Sequence, residues 1–292
     1  MGEAISGLGL YKRNLRTSFG VFSSVLKARL IIISRYKGSL TMELFMPIVF
    51  AALPILLGIS IGANPNIDVS GNWQTSTGTS NFKAYMLIGA STFMVVMLMT
   101  WLVGYWLRRE MVTGTLESVW VSPAEKYLVI AGVTGYALIR AFVAFIVSFL
   151  IGSLIFGINP FQGNIGIAVL FILLGLFPLW GISFLFGALI LRIKEADSII
   201  NLLQWVLAFF MGVYFPVAAL GPFLEWVAKS FPPTWMTNGV RASLLDIGYF
   251  FGSWYMDLAI LFVFAAIFPL LGYAIFQGTQ RRMKKTQGIG MY

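Results

Sequence analysis

The chain runs to 292 residues, of which 59% are hydrophobic and 11% charged, with a mean hydropathy of +0.86; soluble domains carry roughly 25% charged residues. It has no cysteine and no histidine, which excludes disulfides, Cys- or His-ligated zinc, imidazole acid–base chemistry and a His-containing triad. The formal charge of +9 suits an anionic partner, nucleic acid or lipid headgroups, and its placement along the chain decides between them.

From the amino end, Met1 to Tyr11 hold no apolar core followed by a small-residue cleavage site, so no removable signal peptide is expected. The segment Ser18 to Lys37 mixes Lys27, Arg29, Arg35 and Lys37 with Phe22, Val25, Leu26, Leu30 and Ile31 to Ile33. Its helical stripe is imperfect, because Arg29 falls among the apolar positions. It reads as a basic anchor on the inner leaflet, and Gly38 after a basic last turn looks like a helix stop. Six apolar stretches able to span a bilayer follow: Leu40–Gly62, Ala84–Leu107, Tyr127–Phe156, Ile165–Leu191, Ile199–Leu220 and Tyr255–Phe276. With the amino terminus inside, sixteen of the twenty Lys and Arg residues are cytoplasmic. Only Lys83, Lys229 and Arg241 fall outside, and Arg140 lies within a span. This bias predicts that both termini are cytoplasmic. It also assigns the positive charge to topology and anionic headgroups, not to nucleic acid. The expected organisation is an amino-terminal interfacial segment (1–39), a six-span domain (40–277) and a basic tail (278–292).

Between the second and third spans lies Arg108-Arg109-Glu110-Met111-Val112-Thr113-Gly114-Thr115-Leu116-Glu117-Ser118-Val119-Trp120-Val121-Ser122-Pro123. A charged, glycine-containing hairpin between two spans must leave the bilayer, and its arginines put it on the cytoplasmic side. Thr113-Gly114 can start a short helix, with Glu117 in or beside its first turn, where the dipole favours a carboxylate. Trp120 and Val121 give that helix an apolar edge. Ser122-Pro123-Ala124-Glu125 forms a capping box, so the third span is predicted to begin at Ser122.

Few polar groups fall inside spans. Arg140 marks either a substrate pathway or a buried partner, and Glu43 and Asp257 are the carboxylates on offer. Asn201 and Gln204 suit hydrogen bonds to another helix. Trp205, Phe209 and Tyr214 form an aromatic wall that serves either packing or a lipid-like substrate path. From Phe215 to Trp254, Pro216, Gly221-Pro222 and Pro232-Pro233 divide an apolar stretch into pieces too short to cross. Phe223 to Ala228, with Glu225, and Val240 to Leu245, with Arg241, read as short helices at or dipping into the outer surface. Such pieces must pack on protein or line a water-filled cavity. They form either a gate or a lid of aromatic-belt residues.

The pattern R-R-E-x-x-x-G-T-L-E-x-x-x-x-S-P resembles the first cytoplasmic loop of type-2 ABC transporter permeases. Tyr214-Phe215-Pro216 and Phe231-Pro232-Pro233-Thr234 are similar to that family's fifth span and outer re-entrant helices, with the second proline a departure. The resemblance implies an all-α membrane protein: six transmembrane helices, a short cytoplasmic coupling helix, and re-entrant outer helices between spans five and six. It implies that Arg109, Glu110, Gly114, Thr115, Leu116, Glu117 and Pro123 couple the chain to a soluble ABC ATPase present in two copies. It assigns Pro216, Glu225, Pro232, Pro233 and Arg241 to an outer gate. It also implies a second permease copy, or a related chain, in a prokaryotic plasma membrane. ATP and Mg would sit on the ATPase, since this chain lacks the G-x-x-x-x-G-K-[ST] phosphate loop and is expected to bind no cofactor itself. The implied function is export of a drug, lipid, glycolipid or polysaccharide. A lipid-modifying membrane enzyme and a passive channel or scramblase are the competing classes. Against the enzyme stand the missing His and Cys and the lack of clustered intramembrane carboxylates.

Overall fold

The computed structural model describes residues 15–35, 37–64, 68–113, 126–190, 193 and 196–286. Among these residues there are ten α-helices, one 3-10 turn and no strand. In hydrocarbon a helix satisfies its own backbone hydrogen bonds, so chains this apolar are left with little else to form.

The helices are α1 (Leu15–Arg35), α2 (Lys37–Gly62), α3 (Val69–Thr77), α4 (Phe82–Val112), α5 (Lys126–Phe156), α6 (Ile165–Ile190), α7 (Ala196–Phe210), α8 (Pro222–Lys229), α9 (Pro232–Leu245) and α10 (Trp254–Thr286). A 3-10 turn at Val217–Leu220 separates α7 from α8. Five helices contain stretches long and apolar enough to cross a membrane: Thr41–Gly62, Phe82–Leu102, Ala131–Phe156, Ile165–Ile190 and Trp254–Thr279. The expected fifth span, Ile199–Leu220, is not one helix. Its α7 stops at Phe210 after 15 residues, about 22 Å, which falls short of a ~30 Å hydrocarbon core. Gly38, expected to stop a helix, lies inside α2 instead.

The break after α7 has a local cause. Gly212 adopts φ +61°, its N–H donates to Phe209 O (3.0 Å), and the Val213 N–H donates to Ala208 O (3.3 Å). This is the paired-bond helix stop that a left-handed glycine permits. Pro216 then leads into the 3-10 turn.

α4 is the central helix: 83% of its spanning window is buried, against 11% for α10. Polar side chains fasten its neighbours to it. Ser183 of α6 donates to Met99 O (3.0 Å), and Thr237 of α9 meets Thr92 (3.1 Å). Between α6 and α10, Gly181 and Gly272 face each other so closely that a Cβ on either would strike the other helix's backbone. Small residues of this kind let membrane helices approach through their backbones. α9 is buried at every position except Asn238 and Leu245.

Candidate functional site

The site proposed from the sequence begins at the end of α4. There the Thr113 N–H donates to Arg109 O (2.9 Å). Arg109 is exposed in the last helical turn, where a cation complements the helix dipole. Glu110 points the other way and accepts from Arg29 Nη2 of α1 at 3.3 Å. Arg29 also lies over the Trp106 ring, 6.0 Å from its centroid. This accounts for the arginine that spoils the apolar stripe of α1. The rest of α1 packs on α5, with Val25 and Phe22 filling the space left at Gly132 and Gly135. α1 therefore ties α5 to the end of α4. Gly114, Thr115, Leu116, Glu117 and Pro123, together with the predicted coupling helix and capping box, lie outside the described residues.

Inside the bundle, Arg140 has found Glu43. Its Nη2 and Nε donate to Glu43 Oε1 and Oε2, the latter at 2.6 Å, and its Nη1 donates to Tyr136 Oη at 2.7 Å. Such a bidentate pair is the strong geometry for arginine and carboxylate. It joins α2 to α5, with both side chains largely shielded. Of the two carboxylates on offer, Glu43 is the one that Arg140 meets. Asp257 serves elsewhere: its two carboxylate oxygens accept the N–H groups of Phe250 and Phe251 (both 2.9 Å), holding the turn that enters α10.

α7 divides its predicted polar and aromatic residues between two faces. Gln204 is buried and donates to Thr100 Oγ1 of α4, the interhelical bond its amide was expected to make. Asn201, Trp205 and Phe209 lie on the exposed face. Trp205 still touches protein along one edge, 6.1 Å from the Phe50 ring and 5.7 Å from Phe93.

At the far end of the bundle, Arg241 organises the broken segment. It is 2% exposed. Its Nη1 donates to Gly212 O (2.8 Å), Nη2 to Val213 O (2.6 Å) and Nε to Tyr85 O (3.2 Å). The guanidinium lies 3.6 Å from the Tyr85 ring centroid. No carboxylate balances it among the contacts described. Its work is to donate to backbone carbonyls freed where α7 stops, which would otherwise go unpaired in a buried site. Gly89 of α4 makes the room, because a side chain there would collide with Arg241 and with Val213 O. Pro232 and Pro233 start α9, where proline loses no helical hydrogen bond. Glu225 pairs with Lys229 one turn on, at 2.7 Å. Tyr214, between helices, is partly buried.

Two features of the site were missed from the sequence: the Arg29–Glu110 tie and the carbonyl-binding role of Arg241. A lone arginine in the apolar run Val240-Arg241-Ala242-Ser243-Leu244-Leu245 was the available signal. Glycine and threonine positions on α4 gave none without its neighbours.

Comparison with known proteins gives one family. The profile described as ABC-2 family transporter protein matches residues 61–274. No curated protein matches the chain.

Proposed function

The chain belongs to the ABC-2 transporter family as a multi-pass membrane subunit, and from that premise we propose that it is the permease of an ATP-driven exporter. Its cargo is hydrophobic or amphipathic: a drug, lipid, glycolipid or polysaccharide. ATP is hydrolysed by a separate ABC ATPase, two copies serving two permeases. Both termini and the Arg108–Pro123 loop face the cytoplasm.

The observation that carries this reading is the length of the two helices beside the loop. α4 and α5 have 31 residues each, about 46 Å, against a ~30 Å hydrocarbon core. Their spanning stretches lie at the far end, Phe82–Leu102 and Ala131–Phe156. The excess therefore projects at the loop end, where a soluble partner can reach it. Glu117 and its neighbours dock on the ATPase, and Glu110, held by Arg29, fixes the stem. When ATP closes the ATPase dimer, the stem moves and α4, at the centre of the bundle, carries the displacement to α7, α9 and the outer cap.

The test is reconstitution of the chain with the ABC ATPase of its source in sealed vesicles. Flux that requires both subunits and ATP, with no hydrolysis by the chain alone, is expected. Equal flux without ATP or ATPase supports the channel or scramblase class. Lipid turnover by the chain alone supports the enzyme class. Either result overturns the proposal.

A further inference from the structure

The two short helices between α7 and α10 have opposite surroundings. α9 is enclosed by protein, whereas α8 carries two of the most exposed large apolar side chains among the described residues, Phe223 at 78% and Trp226 at 79%. They are three residues apart and so share one face of the helix. The other side is fixed. Ala228 is fully buried, Trp235 Nε1 donates to Lys229 O (2.6 Å), and Lys229 Nζ sits 4.9 Å from the Phe250 ring centroid. This aromatic face is therefore held outward by a rigid mount.

The depth of α8 follows from its neighbours. α7 ends short of a full crossing. Phe210 at its tip stacks on Phe231 (5.3 Å) and accepts from Thr234 Oγ1 (3.2 Å). The α8–α9 corner thus lies at the level where α7 stops, inside the far boundary of the membrane. On the other side, Trp235 stacks on Phe251 (5.6 Å), shortly before Trp254 and Tyr255, which are exposed at the start of α10. Exposed Trp and Tyr at a span end mark the headgroup level. α8 lies between these two levels.

We propose that α8 is an interfacial anchor that seats Phe223 and Trp226 at the boundary between headgroups and acyl chains of the bilayer. The proposal rests on the membrane reading above but not on the direction of transport. A second copy of the chain is the competing occupant. Two aromatic side chains offer about 300–500 Å², below the ~800 Å² that each partner buries in a standard protein interface, whereas a lipid surface requires no minimum patch. The exposed polar residue Ser230, just beyond α8, gives the helix a wet end. Because α8 is mounted on the tip of α7, any movement of that tip drags the anchor through the interface, so lipid composition loads the outer cap.

The chain has no cysteine, so single spin labels can be placed without background. Phe223→Cys, Trp226→Cys, Ser230→Cys, Asn72→Cys and Leu57→Cys are labelled and reconstituted in phosphatidylcholine vesicles. Collision with oxygen and with a water-soluble nickel chelate is then measured. The labels at 223 and 226 are expected to favour oxygen over nickel, between the lipid-facing control at 57 and the aqueous control at 72, with 230 closer to 72. A label at 226 as open to nickel as the one at 72 overturns the anchor. So does shielding from both reagents, which means a protein covers it. An aqueous signal at 57 refutes the membrane reading itself and is distinguishable from both. Trp226→Phe provides a check free of labels: the fluorescence it removes should be quenched in the parent by brominated phospholipid, and an unquenched component contradicts the proposal.

Discussion

Replacing Arg241 with methionine keeps most of the side-chain volume and removes the guanidinium. Three hydrogen bonds disappear, those to Gly212 O, Val213 O and Tyr85 O. Tyr85 O lies within a helix and keeps its helical partner. The other two carbonyls belong to the chain break after α7 and lose their donor in a buried site. Leaving a buried acceptor unpaired costs about 1–3 kcal/mol, so the pair amounts to about 2–6 kcal/mol. Removing a buried cation relieves a desolvation penalty of several kcal/mol. Where both partners of an ion pair are side chains, replacing both with apolar groups can cancel the loss. Here the acceptors are backbone and cannot be removed, so the relief offsets the loss only in part and net destabilisation on the order of 1–2 kcal/mol is expected. Lysine is no substitute: its compact, strongly hydrated ammonium lacks the planar fork that reaches three carbonyls together. Thermal unfolding in detergent should therefore show Arg241→Met and Arg241→Lys both several degrees below the parent. Val213, now buried, should become reactive to a maleimide when Val213→Cys is combined with Arg241→Met. Unchanged melting, with position 213 still protected, would falsify the assignment of Arg241 as the donor that closes the end of α7.

Three further predictions concern other ties. Glu43→Leu or Arg140→Leu alone strands the opposite charge at a cost of about 3–5 kcal/mol, while the double replacement recovers most of it; a double-mutant cycle of melting temperatures checks this. Arg29→Glu loosens α1 from the end of α4 by about 1 kcal/mol, with little effect on melting but reduced ATP-driven flux. Adding Glu110→Arg should restore that flux, and failure of the swap to rescue argues against the tie. In intact cells an impermeant maleimide should label Asn72→Cys and leave Ser118→Cys unmodified; the reverse pattern inverts the topology.

Long apolar runs made the helices on either side of the loop legible in the sequence, because length and hydropathy alone specify a span. α7 was over-read for the same reason. Phe210 to Leu220 is apolar enough to continue a helix, and only the left-handed φ of Gly212, with Pro216 behind it, ends it. Proline spacing correctly divided 215–254 into short pieces, since proline at a helix start keeps every hydrogen bond. Hydropathy could not say which piece is buried in protein, because α8 and α9 are both apolar; that depends on what packs around them. Arg241 illustrates the limit. Charge counting placed it outside, in a short helix at or dipping into the outer surface, and only the structure shows that carbonyls from two distant segments hold it in the interior. Arg140 was read as marking either a pathway or a buried partner, and the choice of Glu43 over Asp257 required the neighbouring helices in place.

Binding of the partner ATPase to the parent chain and to Glu117→Lys tests the coupling assignment most directly. In the short helix expected from the sequence, a lysine near the first turn disturbs the helix by only ~0.3–1 kcal/mol. A reversed charge within a docked contact costs about 2–5 kcal/mol, a loss of affinity of roughly thirtyfold or more. Titration of the reconstituted permease with its ATPase should show Glu117→Lys weakened by at least that factor, with the melting temperature unchanged. Native affinity and native ATP-driven export by Glu117→Lys would contradict the claim that this loop joins the permease to its motor.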